Sequence, residues 1–170
     1  MADGKILYAC QGNLWFIKMV GEIRYTISAP FNDFLGRLFE GQPVEDILID
    51  LTETTGIDST NLGLLAKIAS RMIERFGRRP SIVLTNEDVR QWLSSMGFDD
   101  VFIILEQADA SPEALSEIPD LGHDDRARAR VILDAHRHLM ELSEENRETF
   151  KNVVDALARD LERRDDPGAT

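Results

Sequence analysis

A chain of 170 residues, 43% of them hydrophobic, suits one packed domain with an appendage and argues against a disordered protein. Its formal net charge of −12 argues against nucleic-acid binding, because an acidic chain is repelled by phosphate backbones. The only cysteine, Cys10, excludes an internal disulfide, argues against a thiolate metal site and fits the cytoplasm. No apolar run approaches a membrane span in length, and the start does not resemble a signal peptide, so we expect no membrane contact.

The N-terminal part predicts a β-hairpin followed by a helix. Apolar patterning predicts strands over 5–11 and 14–20, and Gly21-Glu22 is expected to end the second strand. Ser28-Ala29-Pro30 is a helix-start signal, because proline fits the first turn of a helix. The apolar residues that follow recur at helical spacing and predict a core-facing stripe: Phe31, Phe34, Leu35, Leu38 and Phe39.

The central part predicts a strand that leads into a helix. An apolar run over 47–51 predicts a strand buried on both faces, and the polar residues 52–56 predict a turn. Helical spacing of apolar residues then extends from Leu62 to Phe76, and Ser59 is expected to be the N-cap. Its hydroxyl would therefore lie where free amides and the helix dipole favour negative charge.

The motif at this helix start resembles the STAS domain of bacterial anti-sigma factor antagonists, in which Asp-Ser-(Ser/Thr)-Gly-Leu-Gly opens a helix. Here the motif follows a strand that ends in Asp-Leu-Thr, and it consists of Asp58, Ser59, Thr60, Asn61, Leu62 and Gly63. The resemblance implies that these six residues form the partner-binding site and that Ser59 is phosphorylated, with Thr60 as the alternative acceptor. Asn61 departs from the family pattern, which usually has glycine there.

The remaining elements extend the same α/β pattern. Strands are predicted over 80–84 and 101–105, joined by a helix that Asn86 caps and Gly97 ends. Strands joined by helices form a parallel arrangement, and the N-terminal hairpin adds antiparallel pairing, so we expect a mixed sheet. The resemblance implies that this sheet is STAS-like. We expect a STAS domain over 1–105, followed by a C-terminal helical extension.

After residue 105 the composition changes. Residues 106–170 carry 17 acidic and 9 basic residues, whereas residues 1–105 carry 14 and 10. We expect a linker over 106–125 with a helical turn at Ser111, a helical extension over 126–164 and a disordered tail over 165–170. Ser143 favours two helices over one long helix, because it can cap a second one.

Other chemistry is not indicated. Asp50, Glu53 and Asp58 form an acidic group without a basic partner in the motif or the alternation of a calcium loop. The histidines lack zinc spacing, and His136 and His138 are expected on a solvated helix surface. We therefore expect no catalytic residue, no metal, no cofactor and no enzyme activity.

The resemblance implies a partner-switching regulator in the cytoplasm. Unphosphorylated, the chain would bind an anti-sigma factor with serine-kinase activity; phosphorylation of Ser59 would release it, and a PP2C-type phosphatase would restore it. One alternative is a constitutive STAS scaffold or transporter-associated subunit that phosphorylation does not control. Another is a hydrolase, which lacks a base and an oxyanion signature. The C-terminal helices either cover the domain or dock a further protein or another copy of the chain.

Overall fold

The computed structural model describes residues 4–108 and 112–165, which form a mixed sheet with helices. In chain order the strands are β1 (Lys5–Gln11), β2 (Leu14–Ile23), β3 (Asp46–Ile57), β4 (Ser81–Val83), β5 (Ile103–Leu105) and β6 (Ser116–Glu117). The helices are α1 (Ser28–Glu40), α2 (Ser59–Phe76), α3 (Glu87–Ser95), α4 (Asp125–Met140) and α5 (Glu144–Asp165). Short 3-10 turns precede α1 and follow α3.

The sheet combines both strand directions, as the sequence predicts. Its order is β5-β4-β3-β2-β1-β6; β1 pairs antiparallel with β2 and β6, and the pairs from β2 to β5 are parallel. The apolar stripes of α1 and α2 join the inner-facing residues of β1–β4 in one core that includes Ile6, Ile17, Ile49, Leu35 and Leu65. The predicted α/β class with C-terminal helices is confirmed.

The polar turn predicted over 52–56 is wrong, because β3 continues to Ile57. Its partner β2 also runs past the expected break at Gly21-Glu22, and the two remain paired to Ile23 and Ile57 through shifts in register. The Thr54 hydroxyl donates to the Met19 carbonyl at 2.8 Å, which lets a polar residue lie buried in the sheet. Thus strand pairing overrides the local turn composition.

The expected burial of β3 on both faces is also wrong. Ile47, Ile49 and Leu51 are fully buried, whereas Leu48 and Asp50, which point to the other face, are half-buried. Pro112 and Leu115, from the segment after β5, line a small cavity on that second face beside Leu48. One face therefore carries the main core, and the other is only partly covered.

The C-terminal helices form a hairpin that packs on the rest of the fold. Ser143 Oγ accepts from the Asn146 amide at 3.1 Å, which confirms two helices and the predicted cap. Helix α4 packs against α2 and α1, and α5 packs against α4. Hereafter α4 and α5 together are called the C-terminal hairpin.

The chain after residue 105 differs from two expectations and contains one strand that was not predicted. Ser111 lies outside the described residues, and residues 112–115 form no helical turn. The two-residue strand β6, which pairs with β1, was not predicted. Asp165 is the last residue of α5 rather than part of a tail, and residues 166–170 lie outside the described residues.

Candidate functional site

The helix start of α2 is built directly on the carboxyl end of β3. The Asp58 amide donates to the Ile23 carbonyl at 3.0 Å, so extended backbone continues through Asp58, and the Leu62 amide then donates to the Asp58 carbonyl at 3.0 Å. Asp58 Oδ1 accepts from the Asn61 amide at 3.0 Å. Asp58 is therefore the N-cap and Ser59 the first helical residue, so the predicted cap at Ser59 is wrong.

The cap leaves Ser59 free for other contacts. The predicted site residues differ sharply in exposure: Asp58 and Ser59 are half-buried, while Thr60 (4% exposed), Asn61 (0%), Leu62 (3%) and Gly63 are buried. Hereafter these six residues, 58–63, are called the Ser59 surface. Of its two residues with a hydroxyl, only Ser59 is partly exposed.

Asn61, which stands where the family motif usually has glycine, has a structural role that the sequence did not indicate. Its backbone is helical, and no non-glycine residue in the described ranges has a positive φ, so the position needs no left-handed conformation. Its side-chain amide donates to Asp58 Oδ1 at 2.9 Å, beside the bond from its backbone amide. Asn61 thereby fixes the Asp58 carboxylate in its capping position.

The closest partner of Ser59 is a histidine from the C-terminal hairpin. Ser59 Oγ and His136 Nε2 are 2.8 Å apart, although 77 residues separate them in the chain. His136 Nδ1 lies 2.7 Å from the Ile132 carbonyl, which can only accept, so Nδ1 carries a proton. In the neutral ring, Nε2 is consequently the acceptor and the Ser59 hydroxyl donates to it.

The expectation that His136 lies on a solvated surface is wrong, because it is only 5% exposed and its ring meets the Phe150 ring edge-on at 5.5 Å. The sequence held a signal: Ile132, His136 and Leu139 follow helical spacing, which places the imidazole beside an apolar stripe. His123 is not free either, since its Nε2 lies 2.5 Å from Asp33 Oδ2 on α1. The two histidines join α4 and the segment before it to α2 and α1.

One turn beyond Ser59, α4 crosses α2 with direct backbone contact. A Cβ atom added at Gly63 would lie 2.1 Å from the Ala135 carbonyl oxygen, well inside the closest distance of real side chains. Only glycine therefore permits this crossing distance. The contacts of Ser59 and Gly63 with consecutive residues of α4 place that helix over the Ser59 surface.

A mainly charged group continues this interface. Lys67 Nζ donates to Asn32 Oδ1 on α1 at 2.8 Å, and burial, with Arg71 nearby, lowers the pKa of the Lys67 ammonium. Burial also lowers the pKa of the His138 imidazole on α4. The α2–α4 contact therefore includes partly desolvated basic groups besides apolar ones.

The acidic residues around the end of β3 serve local structure. Asp50 Oδ1 accepts from the Thr52 amide at 2.8 Å and from its hydroxyl at 2.6 Å. Glu53 forms an ion pair with Lys18, and the hydrogen bond of that pair raises the pKa of Lys18. In residues 4–108 and 112–165, no cluster of three histidine, cysteine, aspartate or glutamate residues could hold a metal ion. Nor is any helix in these ranges long and apolar enough to cross a membrane.

Comparisons with known proteins support the resemblance. A family model described as "STAS domain" matches residues 5–111. The fold is similar to a crystal structure of an anti-sigma factor antagonist from Mycobacterium paratuberculosis, with a TM-score of 0.51 and 19% identity over 63% of this chain and 89% of that one. An uncharacterized protein of the DUF3478 family from Shewanella loihica PV-4, described as SpoIIAA-like in fold, has a TM-score of 0.41 and 17% identity over the same shares. No curated protein matches the chain.

Proposed function

This chain belongs to the STAS domain family, and from that premise we propose that it is an anti-sigma factor antagonist of a partner-switching pathway. With Ser59 unmodified, the Ser59 surface binds an anti-sigma factor that is also a serine kinase. Phosphorylation of Ser59 releases that partner, and a PP2C-type phosphatase restores binding. The location proposed with these partners is the cytoplasm.

The observation that carries the proposal is the placement of Ser59 as the first residue of α2, half-buried, with its neighbour Thr60 only 4% exposed. The first amides of a helix have no carbonyl partner within it, and together with the helix dipole they favour an anion. Ser59 therefore offers an acceptor hydroxyl in a place where a phosphate is tolerated. Thr60 would have to leave the interior first.

The modification would change the surface by charge. The kinase transfers the γ-phosphoryl group of ATP to Ser59 Oγ: an O–P bond forms, the bond to ADP breaks, and the hydroxyl proton passes to a base of the kinase. The product adds about −1.5 to −2 charges beside Asp58. A loss of ~2.8 kcal/mol of binding energy already weakens a complex about a hundredfold.

In this proposal Ser59 is a substrate and not a nucleophile. A serine hydrogen-bonded to a histidine is a known arrangement for covalent catalysis. His136, in contact with Ser59, is a base that the sequence did not indicate. The same helix that carries His136 also covers Ser59, and the imidazole is buried against Phe150. We therefore assign the contact to packing of the hairpin and give the chain no catalytic role.

The test is phosphorylation by a purified anti-sigma factor with serine-kinase activity from the same genome. Wild type and Thr60→Ala are expected to gain about 80 Da, the mass of one phosphoryl group, and Ser59→Ala is expected to gain nothing. Modification of Ser59→Ala but not of Thr60→Ala would move the assignment to Thr60. An unmodified wild type that still binds a partner would favour the constitutive scaffold or transporter-associated subunit.

A further inference from the structure

We propose that the C-terminal hairpin is a built-in competitor for the Ser59 surface: α4 occupies the place of the protein partner, which binds only after the hairpin detaches as a unit. This inference rests on the proposed function, because it concerns access to the same surface. The occupant in the closed state is a segment of this chain, residues 125–140, whose contacts are known in detail.

With the hairpin docked, α4 occupies the hydrogen-bonding group and the space through which a partner would contact the Ser59 surface. The Ser59 hydroxyl is bonded to His136, and the backbone of Ala135 fills the space above Gly63. A second helix cannot approach Gly63 while Ala135 lies there, since even one added methyl group would be 2.1 Å from its carbonyl oxygen. Docking of the hairpin and docking of a partner on this surface therefore exclude each other.

The hairpin has an apolar cluster of its own, which meets the main core at Met140. Its centre is Leu133 on α4 with Val154 and Leu161 on α5, and the residues packed around it also belong to these two helices. Asp165 at the end of α5 forms ion pairs with Arg126 and Arg130 near the start of α4. The two helices can therefore stay together when they leave the domain.

The hairpin is held to the domain by apolar packing of α4 against α2 and α1 and by side-chain hydrogen bonds. Its buried side chains Ala135, Leu139 and Phe150 belong to the main core, and three partly buried ones pack against it: Val131, Met140 and Leu142. The Asn146 side-chain amide is shared between the Met96 carbonyl after α3, at 2.8 Å, and the Leu139 carbonyl, at 2.9 Å. The hydrogen bonds between His136 and Ser59 and between Asn146 and Met96 also hold the hairpin, and water can replace them when it detaches.

The same geometry couples the hairpin to modification. Phosphorylated Ser59 has no hydroxyl proton to donate, so the modification removes the hydrogen bond that now joins Oγ to His136 Nε2 at 2.8 Å. A kinase must also reach Oγ, which α4 covers. Detachment of the hairpin therefore comes before both partner binding and phosphorylation.

The test uses the full chain with Ala135→Leu, which overpacks the α2–α4 crossing, and with Asn146→Ala, which removes the bonds to Met96 and Leu139 without adding bulk. Arg137→Leu is the matched control, because position 137 is exposed on the same helix. Amide hydrogen exchange reports detachment, and surface plasmon resonance measures affinity for the purified anti-sigma factor kinase. The apparent affinity is the intrinsic affinity multiplied by the fraction of chains that are open.

We expect both variants to exchange faster in 125–165 and in the first turn of α2, with β3 and β4 unchanged. We also expect them to bind the kinase about tenfold more tightly, or better, while Arg137→Leu behaves as wild type. Faster exchange in all elements together would overturn the proposal, because the hairpin would then unfold only with the core. Local detachment with unchanged or weaker binding would overturn it and leave the proposed function standing. If neither the wild type nor the opened variants bind, the proposed function fails and this inference fails with it.

Discussion

At the scale of single residues, Asp58 caps α2 and Ser59 contacts His136, although the sequence allowed either residue to be the cap. Both residue types are good N-caps, so composition alone did not decide between them. The extension of β3 to Ile57 decided it, because the N-cap must have extended backbone and Asp58 is the next residue.

Replacing the cap should destabilise the fold. In Asp58→Ala, the backbone and side-chain amides of the fully buried Asn61 both lose their acceptor. We expect the free energy of unfolding to fall by about 1–3 kcal/mol, measured by urea denaturation. Asp58→Asn is the control, because its amide oxygen can still accept both bonds. Equal stability of the two variants would show that the cap does not stabilise the protein.

His136 shows what single residues do not reveal in a sequence. Its partner lies 77 positions away, and no local pattern states which helix will pack on which. The helical spacing with Leu139 could have indicated a half-apolar environment, but not a hydrogen bond to Ser59. The motif predicts Ser59 as the modified serine, and this stays a prediction; the covering of Ser59 by α4 was not predictable.

At the scale of elements, the crossing of α2 and α4 depends on Gly63. In Gly63→Ala the new methyl group meets the Ala135 carbonyl oxygen at 2.1 Å, so α4 must move away. We expect the free energy of unfolding to fall by about 1–3 kcal/mol in thermal or urea denaturation.

Gly36 on α1 offers the matched control for that substitution. It is helical like Gly63, and an added Cβ would meet nothing within 4 Å. Gly36→Ala should therefore stabilise the protein by about 0.5–1 kcal/mol, through the lower backbone entropy of alanine in the unfolded chain. Similar effects of both substitutions would contradict the close crossing.

The same interface should respond to pH through His138. Burial lowers the pKa of this imidazole, and Lys67 and Arg71 on the facing helix α2 act in the same direction. Glu141, the residue after α4, and Asp134 on α4 oppose the shift without reversing it. A depressed folded-state pKa means that the unfolded chain binds the proton more readily, so this contribution to stability is complete above the usual histidine pKa of about 6.5 and falls as pH drops below it.

The effect of His138 is measured as the difference in pH-dependent stability between wild type and His138→Gln. We expect wild type to lose more unfolding free energy than His138→Gln when the pH is lowered from about 7.5 to about 5.5, a range that includes the usual histidine pKa. Urea denaturation at several pH values measures it, and the subtraction removes the contributions of the other titrating groups. Identical pH dependence of the two proteins would show that His138 does not titrate against the fold in this range.

Long, strongly patterned elements were predictable, and short or polar ones were not. The stripes of α1 and α2 and the caps at Asn86 and Ser143 are local features, and they appear as predicted. The polar end of β3 and the two exposed residues of β6 are strands only because β2 and β1 offer paired edges. Local composition does not contain that information.

At the scale of the whole molecule, the family fold and the C-terminal hairpin form one packed structure. Residues 5–111 match the STAS domain, yet Ala135, Leu139 and Phe150 of the hairpin contribute to the same core. The fold class followed from the alternation of strands and helices and from the motif at Ser59. The position of the hairpin depends on tertiary contacts between α4 and α2, which no local pattern in the sequence states.

The measurement that tests the central proposal most directly is the affinity of two Ser59 variants for the anti-sigma factor kinase. Both Ser59→Ala and Ser59→Asp lose the hydroxyl that bonds to His136, so they differ chiefly in charge. We predict that Ser59→Ala binds at least as tightly as wild type and that Ser59→Asp binds about a hundredfold more weakly. His136→Ala is the control for loss of the Ser59 bond together with the ring that packs on Phe150. Equal affinities of Ser59→Ala and Ser59→Asp would contradict control of this surface by phosphorylation of Ser59.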